Sequence, residues 1–336
     1  MSGGNSQPVS LWRKAKKTIR RSLERALYSI SRQDLIDSFN RAGLKRGDTV
    51  CVHSSLKSLG YVAGGPNEVI EALISVVGSE GCIMMPSFPL TGTMAGFLEA
   101  GTIYDVRNTP ALTGALTEVF RRRPDVKRSL HPTNPLAAWG ASAEEMLVDH
   151  EKSITPYGMR TPYGRLADHD RGYILMMGTH IHSLLHHLQE RVGFPNLFLE
   201  QQAEATYIDY EGILHRMKTK VMRPRIPYFV AVPSVDAVHP DWALLHDFAL
   251  VFPESRDALI KGLGYRFNGY QKIVSRRGQL IQAGILKSTR LGRGQVGLLK
   301  TKEFIQLIEP ELNGLIAQFR SFYKIDDIAA LGLPYD

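Results

Sequence analysis

Cysteine is nearly absent: the 336 residues hold two, Cys51 and Cys82. So few thiols exclude a disulfide framework, and both lie in short apolar runs, so they read as reduced core residues of a cytoplasmic protein. No apolar run reaches the roughly 20 residues that a membrane-spanning helix needs, and no signal-peptide pattern opens the chain. HExxH, CxxC and paired acidic motifs are missing, so no metal centre is expected from signature spacing. Internal repeats and low-complexity stretches are missing too, which excludes solenoids and long linkers. What remains is ordinary globular material, 43% hydrophobic and 22% charged. It is long enough for one large α/β unit or two closely joined ones.

Acidic charge is scarce at one end. Residues 1–32 carry Arg13, Lys14, Lys16, Lys17, Arg20, Arg21, Arg25 and Arg32 against Glu24 alone, so +7 of the net +8 belongs to this appendage and the body is close to neutral. A chain basic throughout would point to nucleic acid; charge confined to one segment does not, and no nucleic-acid partner is expected. Leu11, Ala15, Ile19, Leu23, Leu27 and Ile30 fall near one helical face. A basic amphipathic helix over 11–30 can make peripheral contact with an anionic membrane surface, or can pack on the body through its apolar stripe. Ser31-Arg32-Gln33-Asp34 has capping-box chemistry and separates it from a second helix over 35–42, ended by Gly43.

Along the body, 48–52, 82–86 and 172–178 read as buried core strands. Helices are expected after Gly65 and over 142–148, 161–167 and 184–192. After Phe194 the pattern changes: 205–210 and 213–221 alternate as a hairpin about Glu211-Gly212, with prolines scattered through 223–253. Further strands are expected near 278–283 and 295–299, and a helix over 302–319. This order predicts an α/β fold whose mixed, largely parallel central sheet is flanked by helices as an αβα sandwich, with a β-hairpin insertion in the second half.

Three constellations carry chemistry. His53, Ser54, Ser55, Leu56, Gly60, Gly64 and Gly65 form a strand, a small-residue loop and a helix start at Pro66. That geometry offers N–H groups and hydroxyls to a phosphate or a polarised carbonyl; an ordinary βα connection is the plainer reading. The second is 178–190, where four of the eleven histidines, His180, His182, His186 and His187, follow a core strand. His187 and Glu190 are spaced i, i+3 and share a helical face. A carboxylate near an imidazole fixes its tautomer and raises its basicity, as a general base requires. His182 and His186, at i, i+4, could instead chelate zinc, and capping or packing histidines are the third option. The last constellation is Arg128-Ser129-Leu130-His131-Pro132, where proline restricts the histidine backbone and Arg128 could meet a phosphate; taken alone it reads as structural. Gly292-Arg293-Gly294-Gln295-Val296-Gly297 matches GxGxxG but precedes a strand instead of opening a helix, so it reads as a turn.

In order and at compatible spacing, these residues resemble the aminoglycoside 3-N-acetyltransferase family, an antibiotic N-acetyltransferase superfamily distinct from the GNAT fold. His53-Ser54-Ser55-Leu56 with Gly60 and Gly64-Gly65 is similar to its opening signature. Met85-Pro86-Ser87-Phe88 resembles its M-P-T-F segment, and Arg128-Ser129-x-His131-Pro132 its R-S-x-H-P. Trp139-Gly140, Thr161-Pro162-Tyr163-Gly164-Arg165-Leu166, His187-x-x-Glu190 and the late glycine turn follow in the family's order. The resemblance spans 34–300 and leaves the N-terminal helix outside. Two loops depart from the pattern: 179–184 replaces a G-x-D-x-N-T stretch, and His131-Pro132-Thr133-Asn134-Pro135 replaces H-P-x-x-S.

The residue pattern sets off a basic amphipathic N-terminal helix over 1–32 and an insertion or lid over 195–255, and the resemblance implies that 33–336 is an acetyltransferase domain. The resemblance also implies acetyl transfer from acetyl-CoA to a primary amine of an amino sugar, in a ternary complex without a covalent enzyme intermediate and without a metal. His187 supported by Glu190 is the expected base, with Ser183 beside them. Ser54, Ser55 or their loop amides are the expected oxyanion donors. The 60–65 loop, Arg128, Ser87, Ser129 and His131 would complete the cofactor side. The small-molecule acceptor is either an aminoglycoside, a polycation that Glu200, Glu204, Asp209 and Glu211 could face as an acidic wall, or a nucleotide-linked amino sugar. A zinc hydrolase and a non-catalytic CoA-binding protein are the readings from other classes.

Overall fold

A computed structural model describes residues 29–179, 182–193, 197–222 and 276–323, together with Lys16, Arg25, 252–253 and 265–266. The central strands are β1 (Thr49–Ser54), β2 (Cys82–Pro86), β3 (Lys127–Arg128), β4 (Leu136–Gly140) and β5 (Gly172–Met177). After these come β6 (Phe198–Ile208), β7 (Leu214–Met222), β8 (Leu286–Leu291) and β9 (Gly294–Lys300). Side chains alternate along the central strands with period two. Val50, Val52, Ile83, Met85, Leu175 and Met177 enter one core, whereas Cys51, Met84, Ile174 and Met176 enter the other. Strands apolar on both sides need helices on both sides. On the first face lie α1 (Arg32–Ala42), α2 (Pro66–Val77) and α3 (Ala115–Arg121), contributing Phe39, Leu73 and Phe120. The second is covered by α4 (Ala143–Leu147), α5 (Pro162–Asp168) and α6 (Leu184–Arg191), then α7 (Arg276–Gln282) and α8 (Thr301–Tyr323).

The seven-stranded sheet runs β8-β9-β5-β1-β2-β4-β3. It is mixed, and its parallel part is confined to the centre: β1 pairs in parallel with β2 and with β5. The outer neighbours are antiparallel. β6 and β7 pair antiparallel around a turn in which Asp209 Oδ1 accepts the N–H groups of Glu211 and Ile213, and Tyr104–Asp105 adds a parallel edge to β6.

Caps set the helix ends. At α1 the Ser31 hydroxyl accepts the Asp34 N–H and the Asp34 carboxylate accepts the Ser31 N–H at 2.8 Å, while Gly43 closes the helix at φ 103°. Two expectations change. The strand expected at 278–283 is helix α7: of its apolar residues Leu280 is buried while Ile281 is exposed, so the segment presents one core contact per turn. Ser29–Ile30, placed at the end of the N-terminal helix by its pattern, is a short strand parallel to Tyr61–Val62. The rest of that helix lies outside the described residues except Lys16 and Arg25, whose guanidinium lies 4.8 Å from the Tyr61 ring centre. The proline-rich stretch over 223–251 also lies outside them. Gly292, at φ 57°, turns the chain between β8 and β9, so the GxGxxG match is a hairpin turn. Cys51 and Cys82 are buried free thiols. Among the described residues no helix is long and apolar enough to cross a membrane.

Phe120 is fully buried in the first core. Phe120→Ala should cost about 3–5 kcal/mol, read as a lower urea midpoint with little change in slope.

Candidate active site

β1 and β5 are parallel neighbours, yet the chain leaves them towards opposite faces. After β1 it passes through 55–65 to α2, and after β5 through 178–183 to α6. The crevice beyond the strand ends at such a point is where open α/β sheets bind ligands. The two loops touch at their roots. The Ser55 N–H donates to the Met177 carbonyl at 2.8 Å, and Gly178, at φ 63°, would place a Cβ 2.6 Å from the Ser55 oxygen. His53 shares the face of Cys51 on β1, its ring 6.4 Å from that of His182 in an edge-on contact. Burial, then the nearby His182 and His186, push His53 down to about 3, so it is neutral at physiological pH. Its Nε2 is 3.7 Å from Cys51 Sγ, but burial pushes that thiol upward, which is the reverse of an activated nucleophile.

His187 sits on α6 with no exposed surface. Its Nδ1–H donates to the Tyr157 carbonyl at 2.7 Å, which leaves the lone pair on Nε2; that atom is buried without a hydrogen-bond partner among the described residues. Burial lowers its pKa further, against the pull of that carbonyl. A buried acceptor left unpaired costs about 1–3 kcal/mol, and such orphans ask for a functional explanation. Glu190, one turn on, does not meet the imidazole as its spacing suggested. Its Oε1 accepts the Tyr157 N–H at 3.0 Å, and burial pushes its carboxyl up to about 7 against the Thr155 hydroxyl, the Tyr157 N–H and Lys220. His186 instead bonds the Gln189 side chain at 2.9 Å and lies against the Tyr157 ring. Ser183 stands at the start of α6 beside the buried Tyr163 phenol.

Tyr157 joins these groups and was missed in the sequence. Its hydroxyl accepts from Asn134 Nδ2 at 2.8 Å, and its ring packs on Tyr163 with centres 5.3 Å apart. One signal was available: Thr155-Pro156-Tyr157-Gly158 repeats the Thr161-Pro162-Tyr163-Gly164 element six residues earlier.

The structure does not bring the remaining expected residues into the crevice as ligands. Arg128 is 3% exposed and directs its guanidinium to the carbonyls of Thr109 (2.6 Å), Val106 (3.3 Å) and Ser87 (2.7 Å), with its buried Nε left without a partner among the described residues. The Ser129 hydroxyl accepts the Leu136 N–H and contacts His150 Nδ1 at 2.8 Å. His131 stacks on His150 with centres 4.7 Å apart and is pushed down to about 3 by burial. Ser87 is fully buried, its N–H held by the Pro135 carbonyl. All four belong to the interior. In the first loop the amides of Ser55 and Gly65 are committed to the carbonyls of Met177 and Val62, and the serine hydroxyls there are Ser54, half-buried, and Ser55, which contacts Ser58 Oγ at 2.8 Å. Leu56 packs on the first core, Gly60 turns the chain at φ 118°, and Gly64 lies under Glu68, whose carboxylate binds Arg32 at 2.6 Å. His180 lies outside the described residues. Among the described residues no set of three His, Cys, Asp or Glu side chains is placed to hold a metal.

His187 thus keeps its lone pair on Nε2, the form that can accept a proton, while the Cys51 thiol beside His53 is held protonated by burial. The sequence profile of aminoglycoside 3-N-acetyltransferase matches residues 51–312, and the chain belongs to that family of acyltransferases. Among curated relatives, the prophage-derived aminoglycoside N(3')-acetyltransferase-like protein YokD of Bacillus subtilis is 34% identical over 176 residues, covering 48% of this chain and 64% of that protein. Aminoglycoside N(3)-acetyltransferase VII of Streptomyces paromomycinus is 32% identical over 209 residues, 58% of this chain and 72% of the other. The solved structure of AAC-IIIb with CoASH shares the fold at TM-score 0.60 and 19% identity, over 86% of this chain and 98% of that one. AAC-VIa bound to sisomicin does so at TM-score 0.59 and 22% identity, over 85% and 98%.

Glu190 provides a stability test. A carboxyl whose folded pKa is raised contributes stability at low pH that is lost as pH rises through the folded value. Glu190→Gln removes that loss. The variant should exceed the natural chain in stability by about 1–2 kcal/mol above pH 7, an advantage that disappears below about pH 4.5, read by thermal melts across that range.

Proposed function

We propose that the protein transfers the acetyl group of acetyl-CoA directly to a primary amine of an amino sugar, with His187 as general base. The observation that carries this reading is the His187 tautomer: Nδ1–H bound to the Tyr157 carbonyl and Nε2 left as a buried acceptor. The acceptor's ammonium form loses one proton to solvent. As the free amine attacks the thioester carbonyl, His187 Nε2 takes the second proton from the nitrogen. The tetrahedral intermediate then collapses, the C–S bond breaks, and the CoA thiolate leaves with a proton returned from the imidazole. Ser54 and Ser55 hydroxyls are the donors proposed for the oxyanion, and the 54–65 loop is proposed for the acetyl-CoA side. Support comes from family membership and from the fold shared with a relative solved with CoASH.

An aminoglycoside is the first acceptor class, by the names of the relatives and the sisomicin complex. A nucleotide-linked amino sugar is the second reading, and one observation favours it. The expected acidic wall is partly spent: Glu204 pairs with Arg216, and Asp209 holds His215 and its own turn. A thiol-release assay with acetyl-CoA across aminoglycosides and nucleotide amino sugars separates the two.

His187→Ala should lower kcat by about a hundred- to ten-thousandfold with the acetyl-CoA KM little changed. Because burial depresses the His187 pKa, the acid limb of kcat for the natural enzyme should lie below pH 6.5. Undiminished turnover in the variant would remove His187 as the base.

A further inference from the structure

We infer that Glu190 acts on His187 only through the main chain of Tyr157, and that Tyr157, fixed by Asn134, is the clamp that positions the base. The inference rests on the reading of His187 as that base. Glu190 Oε1 accepts the Tyr157 N–H at 3.0 Å, and His187 Nδ1–H donates to the Tyr157 carbonyl at 2.7 Å. That N–H and that carbonyl belong to different peptide groups, on either side of one Cα, so no conjugated path carries charge from the carboxylate to the imidazole. The link is mechanical. Two side chains at i and i+3 on one helix grip the two polar ends of a single residue opposite.

The gripped residue is itself held on other sides. Its phenol oxygen receives the Asn134 amide, its ring lies between Tyr163 and His186, and it is 3% exposed. Pro156 precedes it. Gly158 follows, where a Cβ would stand 2.5 Å from Thr155 Oγ1 and 3.3 Å from Glu190 Oε2, so the close seat of the carboxyl depends on a missing side chain. Asn134 extends the chain of contacts to the His131 loop, because its own N–H donates to His131 Nδ1 at 3.3 Å.

The charges that do face His187 are Arg191, on its own helix α6, and Asp168 at the end of α5 and Glu309 on α8, which pair with Arg191 at 3.1 Å each. A raised Glu190 pKa agrees with a group wanted for its acceptor oxygen more than for its charge. A glutamine offers the same acceptor oxygen and no charge, so it separates the two roles.

The test compares Glu190→Ala with Glu190→Gln in the full chain, using two readouts. The first needs no acceptor: the His187 Nδ1–H proton resonance and the His187 titration by NMR. The resonance should broaden or vanish in Glu190→Ala and return in Glu190→Gln, with the glutamine variant's titration within a few tenths of a pH unit of the natural protein. The second is kinetic. Glu190→Ala should lower kcat by about a hundredfold, the cost of a base displaced by about an ångström, with the acetyl-CoA KM nearly constant, and Glu190→Gln should recover most of that loss. A direct charge pair predicts the opposite: the two variants equally impaired and the His187 pKa lowered by about one unit in Glu190→Gln; that result overturns the clamp. If Glu190→Ala does not fold, Gly158→Ala, which crowds the same carboxyl, takes its place. His187→Ala run alongside keeps the readings apart, since activity without His187 refutes the base while the resonance in Glu190→Gln still decides the clamp.

Discussion

Thr49–Ser54 and Gly172–Met177 lie side by side through six registered pairs, in parallel, and then part company. Everything at the site depends on that arrangement. Parallel neighbours end at the same edge of the sheet, so their loops start within hydrogen-bonding distance. Because α2 and α6 cover opposite faces, the chain leaves the two strands in opposite directions, the point at which open α/β sheets bind ligands. The tight root at Ser55 and Gly178 fixes the distance between the two loops. His53 from one strand and the histidine-rich segment from the other thereby become neighbours, although more than a hundred residues separate them.

The second constraint is the handling of buried polar groups. The interior beside the crevice holds His131, His150, Asn134, Tyr157, Arg128 and His187, a cost that only complete pairing can offset. Most of it is paired: Arg128 by three carbonyls and the Tyr104 ring, Ser129 between Leu136 and His150, Tyr157 by Asn134. Among the described residues the network leaves over His187 Nε2 together with Arg128 Nε, His131 Nε2 and Ser87 Oγ. Segments that look like ligand contacts in a linear motif, Arg128 to His131 above all, here bond mainly to neighbouring loops. Their polar character comes from the need to satisfy bent loop backbone in a dry interior.

Local chemistry and periodicity in the sequence determined much of the fold. The central strands, the capping box at Ser31, the glycine stop at Gly43, a hairpin about Glu211-Gly212 (longer in the structure, 198–222, than the 205–221 expected) and the empty meaning of the late GxGxxG all follow from interactions within a few residues. The strand expected over 278–283 failed because one buried leucine on a helix and alternate burial on a strand look alike over so short a stretch. The order of motifs also sufficed to indicate the family, and with it acyl transfer. His187 stood out as a candidate because a histidine and an acid at helical spacing follow a core strand.

Only the tertiary structure decided what those residues touch. Spacing on one helix brings His187 and Glu190 to the same face but says nothing about which group lies opposite, and that group is the backbone of Tyr157. Whether Arg128 meets a phosphate or a ring of carbonyls, and whether loop amides stay free or are taken by Met177 and Val62, depends on segments distant in sequence. The reason is physical. Periodicity reports where a side chain points relative to its own element, whereas hydrogen bonds and burial are set by the partner that folding delivers from elsewhere in the chain.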